Sequence, residues 1–250
     1  MLRWFRGDLH IHTVLSACAE LSMGPKAIVA TAIDKGLDFI AITDHNSSTN
    51  VGAVMEAAGS SLTVFAGIEV STREEIHMIA LFPDVETAMD FQSFIYGHLL
   101  EGSYDGSWLG SQIICDAQEN ILGEDDHLLA MPAQVPYPAV IQQVVQRGGL
   151  IYPAHIDRRS NGILRVLGFM PGNLPFNIVE VSKNVDPATA EQQYGHNGSL
   201  TVITASDAHD IGHIGQAPSY FRMAEPTFAE LCLAMTRQQE RQARPLPPTT

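Results

Sequence analysis

The chain has 250 residues, 14 Lys and Arg against 28 Asp and Glu, a formal charge of −14, and 45% hydrophobic residues. This is the balance of a soluble globular protein, with no apolar run near the roughly 18 residues that span a bilayer and too much negative charge for broad attraction to a nucleic-acid backbone. The opening MLRWFRGDLH lacks the apolar stretch of a secretory leader, and Cys18, Cys115 and Cys232 are scattered, so a cytoplasmic protein without a disulfide framework is expected.

In chain order, residues 4–10 read as a first strand. A helix follows from Pro25 to Gly36, with Ile28, Val29, Ala32 and Ile33 on one face. LDFIAIT is a buried strand, 49–59 a helix, LTVFAGIEV and EIHMIALF strands, and 85–100 a longer helix with Met89, Phe91, Phe94 and Ile95 among its apolar positions. The alternation pauses over 102–138, where QIICDAQENILGE predicts a hairpin around Gln118 to Asn120. This segment reads as an insertion over one barrel face, placed to act as a lid.

Alternation resumes with helix 139–147, strand GLIYPAH, a short helix near 162–167, strand NIVEVS, a helix near 188–194, and strand LTVITAS. A last helix near 227–239 precedes a Pro-rich polar stretch, so 241–250 is expected to be a flexible tail. About seven strands alternating with helices predict a parallel α/β barrel in a single domain over 1–240.

Metal-capable side chains recur where hydrophobic strands run out. His10 and His12 end the first strand, Asp44 and His45 follow IAIT, Glu69 follows VFAGI, His155 ends LIYPA, and Asp207 and His209 follow VITAS. In a parallel barrel these ends share one face, so sequence-distant ligands meet there. His77 starts its strand instead; an antiparallel strand, or a short turn over 72–75, would bring it beside Glu69. Imidazole and carboxylate suit zinc, manganese or iron, and the set exceeds the roughly four ligands of one zinc. Two or three divalent ions are therefore expected, bridged by Glu69 or, as second choice, Asp207.

Taken together, D-x-H-x-H-T at 8–13, T-D-H at 43–45, G-I-E at 67–69, P-A-H at 153–155 and S-D-A-H at 206–209 resemble the polymerase and histidinol phosphatase (PHP) family over about residues 7–215. The resemblance implies a distorted (β/α)7 TIM-like barrel and metal-dependent hydrolysis of a phosphate ester by a metal-activated water. Its implied ligands are His10, His12, His45, Glu69, His77, His155, Asp207 and His209, with His10, His12, Glu69, His155, Asp207 and His209 also catalytic. Many members resemble H-S-x-x-S-D-G after the first motif, whose Asp is a further ligand; here that position is Ala17. Glu20 could replace the carboxylate and Cys18 could supply a thiolate, although Cys18 also reads as a small buried filler.

Asp8 and Asp44 are expected to orient imidazoles rather than bind metal. Arg158 and Arg159, following PAHID, are candidate phosphate contacts, with solvated loop charges as the alternative. Lys183, at another strand end, and His213 are weaker substrate-contact candidates. His98, His127 and His196 lack strand-end placement and read as structural or exposed; Cys115 and Cys232 read as core. The leading substrate class is a small phosphorylated metabolite or nucleotide. A phosphodiesterase or exonuclease on single strands and a non-catalytic ligand-sensing module are the alternatives, and a nucleic-acid partner is disfavoured on charge.

Overall fold

In this computed structural model, which describes residues 1–248 other than 108, 173, 196 and 197, strands apolar on both faces set the central layer. β1 (Arg3–Ile11), β2 (Phe39–Ile42) and β3 (Thr63–Ser71) run parallel, with Asp8 opposite Ile40 and Ile42 opposite Ala66. β4 (His77–Phe82) turns back antiparallel to β3, placing His77 opposite Ser71. β5 (Ile113–Cys115) and β6 (Ile121–Glu124) form the hairpin expected inside the insertion. β7 (Leu150–Pro153) is antiparallel to β4, and β8 (Ile178–Ser182) and β9 (Thr201–Ala205) make a parallel pair.

Two further strands, β10 (Ser219–Met223) and β11 (Gln242–Arg244), lie where the sequence predicts loop and tail. β10 pairs antiparallel with β1, and β11 with β10, so part of the expected tail is built into the sheet. The result is a mixed α/β fold with a curled seven-stranded half-barrel sheet, in the order β11-β10-β1-β2-β3-β4-β7.

This corrects the expectation of a closed parallel (β/α)7 ring. A tight turn, with Thr72 N–H donating to the Ile76 carbonyl at 3.0 Å, reverses the chain where a parallel neighbour would need a crossover helix. The β8–β9 pair joins its neighbours only locally, through the Ile11–Ala208 bridge on one side and the Ile156 N–H to Glu180 carbonyl bond, 2.9 Å, on the other.

Seven helices cover the sheet: α1 (Pro25–Asp34), α2 (Val51–Ala58), α3 (Val85–Tyr96), α4 (Tyr137–Gln146), α5 (Ile163–Leu167), α6 (Pro187–Tyr194) and α7 (Phe228–Met235), counted among the described residues. Pro25 opens α1 and Gly36, at φ +68°, follows its end, as the sequence predicts. Ile33 is 45% exposed, because the buried stripe is centred on Ile28 and Ala32. α7 is shorter than expected, since Arg237 and Gln239 take left-handed backbone angles just beyond it. No helix among the described residues is long and apolar enough to cross a membrane.

Alternation along each strand divides the core in two. Phe5 and Leu9 of β1, Phe39 and Ala41 of β2, Phe65 of β3, and Ile79 and Leu81 of β4 pack inside the curl with Tyr152 and Phe221, plugged by Leu231 and Met235 of α7. Their alternate neighbours pack outward against the helices. The insertion is strapped to this frame: the Asn50 amide donates to the Ile113 carbonyl at 2.9 Å, and the Asn46 amide to the Leu129 carbonyl at 2.8 Å.

Candidate metal centre

Glu69 projects from the inner face of β3, two and four residues beyond Gly67 and Phe65. A side chain on Gly67 would meet Thr43 and Leu81 at 2.8 Å, so the glycine of G-I-E lets β2 and β4 close beside the carboxylate. His155 and Asp207 take left-handed angles, φ +29° and +48°, just past β7 and β9. Such backbone is costly for non-glycine residues and is held here by its surroundings.

The expected ligands converge on Glu69. Its Oε1 lies 2.8 Å from His77 Nδ1, 3.0 Å from His155 Nε2 and 3.3 Å from His10 Nε2; its Oε2 lies 2.9 Å from His45 Nδ1 and 3.4 Å from His12 Nε2. Asp207 Oδ1 lies 3.2 Å from His12 Nε2 and 3.4 Å from His10 Nε2, and His209 stacks on His12 with ring centroids 3.9 Å apart. Three overlapping groups of potential ligand atoms result: His10, His12, Glu69 and Asp207; His45, Glu69 and His77; and His12, His45 and His209.

The second ring nitrogens show what these groups fit. His10 Nδ1–H donates to Glu180 at 2.9 Å. His12 Nδ1–H donates to Ser16 Oγ at 2.9 Å, because that hydroxyl is committed as donor to Asp44 at 2.7 Å. Both Nε2 atoms then point inward, 3.1 Å from each other and within 3.4 Å of Glu69 and Asp207, and Glu69 Oε2 faces His45 Nδ1 at 2.9 Å. Imidazole nitrogens turned inward around two carboxylates form the nitrogen and oxygen donor set that divalent ions take, so the residues present fit such ions.

Electrostatics point the same way. Burial opposes the charge on Glu69, but His77, His10 and His45 outweigh it and hold the carboxyl well below its usual range. Burial likewise opposes charge on Asp207, and His10 and His12 reverse it. His10 is pulled the other way: burial disfavours its proton, while Glu180, Glu69 and Asp207 retain it. His12 is pushed down by burial and by its neighbours His209 and His45. A cation would relieve the crowded imidazoles and neutralise the carboxylates together.

A cavity of about 470 Å³ opens over the cluster, walled by Arg158, Asn161, Ser182, Lys183, Asn184 and His213. Arg158 makes a short ion pair with Asp207. Burial lowers the Lys183 ammonium pKa, with Asp207 and Asp8 opposing. Arg159, expected beside Arg158, is exposed and has no hydrogen bond or ion pair among the described residues; both arginines are exposed, but Arg158 alone of the two lines the cavity and pairs with Asp207.

Asp8 orients no imidazole. It accepts the Ser206 and Gly215 amides at 3.1 and 2.9 Å and so ties β1 to the loop after β9. Asp44 acts on His12 only through Ser16, besides accepting the Thr13 amide at 2.7 Å. The carboxylate that does hold an imidazole is Glu180, fully buried in β8, which sequence reasoning missed. Its signal was a charged residue inside IVEVS, an otherwise apolar strand.

Glu20 is exposed, and its carboxylate makes no hydrogen bond or ion pair among the described residues. Cys18, although an exposed residue, borders the cavity. Burial pushes its thiol up, and the adjacent His209 and His45 more than reverse this, to about 6. Cys115 is buried as expected and Cys232 half-buried. His98 and His127 bond locally, to the Phe94 carbonyl and to Asp125, and His196 lies outside the described residues.

A family model described as PHP domain matches residues 8–148, more than half of the chain. A curated 5′-3′ exoribonuclease, Rnm of Escherichia coli (strain K12), is 32% identical over 84 residues, covering 31% of this chain and 28% of that protein. Endonuclease Q, in a complex with a 27-mer duplex bearing an abasic lesion at the active site, shares the fold with a TM-score of 0.69. Its identity is 16%, over 96% of this chain and 58% of that one. A protein from Bifidobacterium adolescentis described as a metal-dependent phosphoesterase aligns with a TM-score of 0.55 and 20% identity, over 82% of this chain and 88% of that one. The chain thus matches less than a third of the exoribonuclease and little over half of the endonuclease. Both relatives act on or bind nucleic acid, which overturns the expectation that nucleic acid is disfavoured as a partner. Net charge sums over the whole surface, whereas a strand end entering a cleft meets the local field of a few cations and bound metals.

Proposed function

This chain belongs to the PHP-domain family, and we propose from that premise that it is a metal-dependent phosphoesterase centred on Glu69. The observation that carries the reading is the convergence of His10, His12, His45, His77, His155 and Asp207 on one buried carboxylate, beneath a cavity walled by Arg158 and Lys183. His10, His12, Glu69 and Asp207 would hold one ion, and His45, His77 and His155 would hold a second that shares Glu69. Ions so placed lower the pKa of bound water and neutralise phosphoryl oxygens.

The remaining work falls to the chain's own groups. Glu180 and Ser16 fix the tautomers of His10 and His12, keeping the Nε2 lone pairs turned inward. The Arg158 guanidinium, paired with Asp207 before substrate arrives, has the fork geometry to take phosphoryl oxygens. Lys183 and His213 line the same cavity and bind further anionic or hydroxyl groups.

The substrate is a nucleotide phosphate ester, free or at the end of a strand. The cavity volume supports this, since sites of about 300–1,000 Å³ enclose a ligand of that size. The likeness to the exoribonuclease favours the strand-end form. The test is to strip the protein with chelator, reload it with Mn, Fe or Zn, and assay phosphomonoesters, nucleotides and end-labelled single- and double-stranded oligonucleotides. Hydrolysis restored by metal and lost in Asp207→Asn is the expected result. A reloaded protein that cleaves none of these substrates overturns the reading.

A further inference from the structure

The cavity over the metal cluster does not end at its cationic wall. A shallower trough of about 360 Å³ adjoins it, and the two share His45, His77 and Asn161, so one continuous opening crosses the outer part of the cluster. Its two sides differ in chemistry. The main cavity presents Arg158, Lys183 and His213, whereas the trough is lined by Leu109, Ala130 and Pro132 of the insertion, together with Glu75. Charge therefore sorts what can enter. Phosphoryl oxygens are drawn to the cations, and the exposed Glu75 carboxylate, which has no hydrogen bond or ion pair among the described residues, repels them.

The insertion is a fixed wall at this place. The Asn46 amide, one residue past His45, donates to the Leu129 and Met131 carbonyls at 2.8 and 3.0 Å, and its oxygen accepts the Ser71 amide at 3.1 Å. Ala133 N–H donates to the Ser71 carbonyl at 2.8 Å and Arg73 N–H to the Val135 carbonyl at 2.9 Å, so the segment carrying Ala130 and Pro132 is laced to the end of β3. Leu109 N–H donates to the Tyr104 hydroxyl at 3.2 Å, and Leu109 is 41% exposed. The polar residues are held as well: the Asn161 side-chain amide donates to the Glu75 carbonyl at 3.1 Å, and His77 N–H donates to the Asn161 carbonyl at 3.0 Å. Apolar surface held rigid beside hydrogen-bonding groups suits a planar heterocycle, because a base is bound by packing on its face and hydrogen bonds at its edge.

We propose that this trough is a nucleobase subsite, in which the base of the nucleotide ester rests against Leu109 and Pro132 and presents an exocyclic amino group to Glu75, while the phosphate stays over the metal centre beside Arg158. The inference rests on the phosphoesterase reading above and adds to it what the insertion selects. An ionised carboxylate only accepts hydrogen bonds. It therefore favours adenine and cytosine, whose amino groups donate, over hypoxanthine and uracil, which carry a carbonyl oxygen in the same place. Glu75 and Leu109 are on this reading specificity-determining residues that lie outside the ligand set.

The test is calorimetric binding, to the metal-reloaded full chain, of non-hydrolysable phosphonate analogues of adenosine 5′-monophosphate, inosine 5′-monophosphate and ribose 5-phosphate. The adenosine analogue is expected to bind at least about tenfold more tightly than the inosine one, as for one hydrogen bond to a charged group, and the ribose analogue most weakly. Glu75→Gln should bring the adenosine and inosine analogues together, because an amide can donate as well as accept. Leu109→Ala should narrow the gap between either nucleotide and the ribose analogue. Both residues are exposed, so both variants are expected to fold. Equal affinity for the adenosine and inosine analogues, or a preference that neither substitution changes, overturns this inference. Failure of the wider reading shows separately: a reloaded chain that prefers the adenosine analogue in this way but hydrolyses no phosphate ester keeps the subsite and overturns the phosphoesterase.

Discussion

The inner and outer halves of the cluster are built differently. His10, His12 and Glu69 are fully buried on strands or directly at a strand end, and each histidine has its second nitrogen occupied, by Glu180 or by Ser16. His45, His209, Asp207 and Cys18 sit on the turns that follow the strands, with side chains of His45 and His209 13% and 25% exposed. The inner half is preorganised by the sheet, so it carries affinity. The outer half is open to solvent and adjustable, so it can meet substrate and vary in metal preference.

Removing the element common to both halves should have the largest effect. Glu69→Gln takes away the carboxylate that two ligand groups share. We expect loss of bound metal by elemental analysis and a fall in kcat of at least about 10²–10³-fold, as for deletion of a principal electrostatic group. A variant that keeps its metal would break the comparison at its centre.

Glu180→Gln bears chiefly on the inner half. The His10 ring loses its charged acceptor, and the His155 amide, which the same oxygen accepts at 3.2 Å, keeps a neutral one; metal affinity should fall about 10–100-fold, the usual cost of losing a group that orients a ligand. Competition with a chromogenic chelator measures it.

Acidity sharpens the contrast further. In the metal-free protein His10 and His45 are raised above 6.5 despite burial, by Glu180 and Glu69 for the first and by Glu69 and Cys18 for the second. Their contribution to stability is complete below about pH 6.5 and is lost as pH rises through the raised values. Glu69 and Asp207 are depressed, so theirs is present above about pH 4.5 and lost only as pH falls through the lowered values. Metal must displace the His10 and His45 protons, so the rise in Tm caused by zinc should grow from about pH 5.5 to about pH 8. Melting curves with and without zinc check this; a zinc shift independent of pH would contradict it.

Arg158→Ala bears on the outer half. Losing one charge-assisted contact to phosphoryl oxygens costs about 1.5–3 kcal/mol, so KM should rise about tenfold or more with metal content unchanged. Steady-state kinetics with a phosphomonoester separates this from loss of ions.

The same division decides what could be read from the chain. His12, His45 and His155 were legible because each follows an apolar run where a buried strand ends and polar groups can be satisfied, and His10 and Glu69 because they follow such runs, although their strands continue to Ile11 and Ser71. Glu180 was not, because its neighbours Val179 and Val181 make the segment read as plain core, and only folding brings its carboxylate to His10 from 170 residues away. β10 was missed because SYFRM is short and follows a loop rich in Gly and Pro, yet it takes the edge of β1 and prevents parallel closure. Asp8 misled for a related reason. It shares a strand with His10, but the buried amides of Ser206 and Gly215 claim it, and no local pattern announces a demand made by a distant loop.

Glu20 is where sequence and structure pull furthest apart with the least expected effect. By spacing it is a natural substitute for the missing aspartate at position 17, being three residues on and in the same loop. The loop, however, uses Glu20 through its backbone: the amide donates to the His209 carbonyl, and the carboxylate stays in water. Glu20→Ala keeps that amide and removes only a solvated charge, so stability should change by no more than about 0.5 kcal/mol and metal stoichiometry not at all. Glu20→Pro removes the amide itself and should loosen the hold on His209. The pair therefore separates side chain from backbone: if the alanine variant loses an ion, the outer half contains a carboxylate ligand after all, and the division between a sheet-built interior and a turn-built rim must be redrawn.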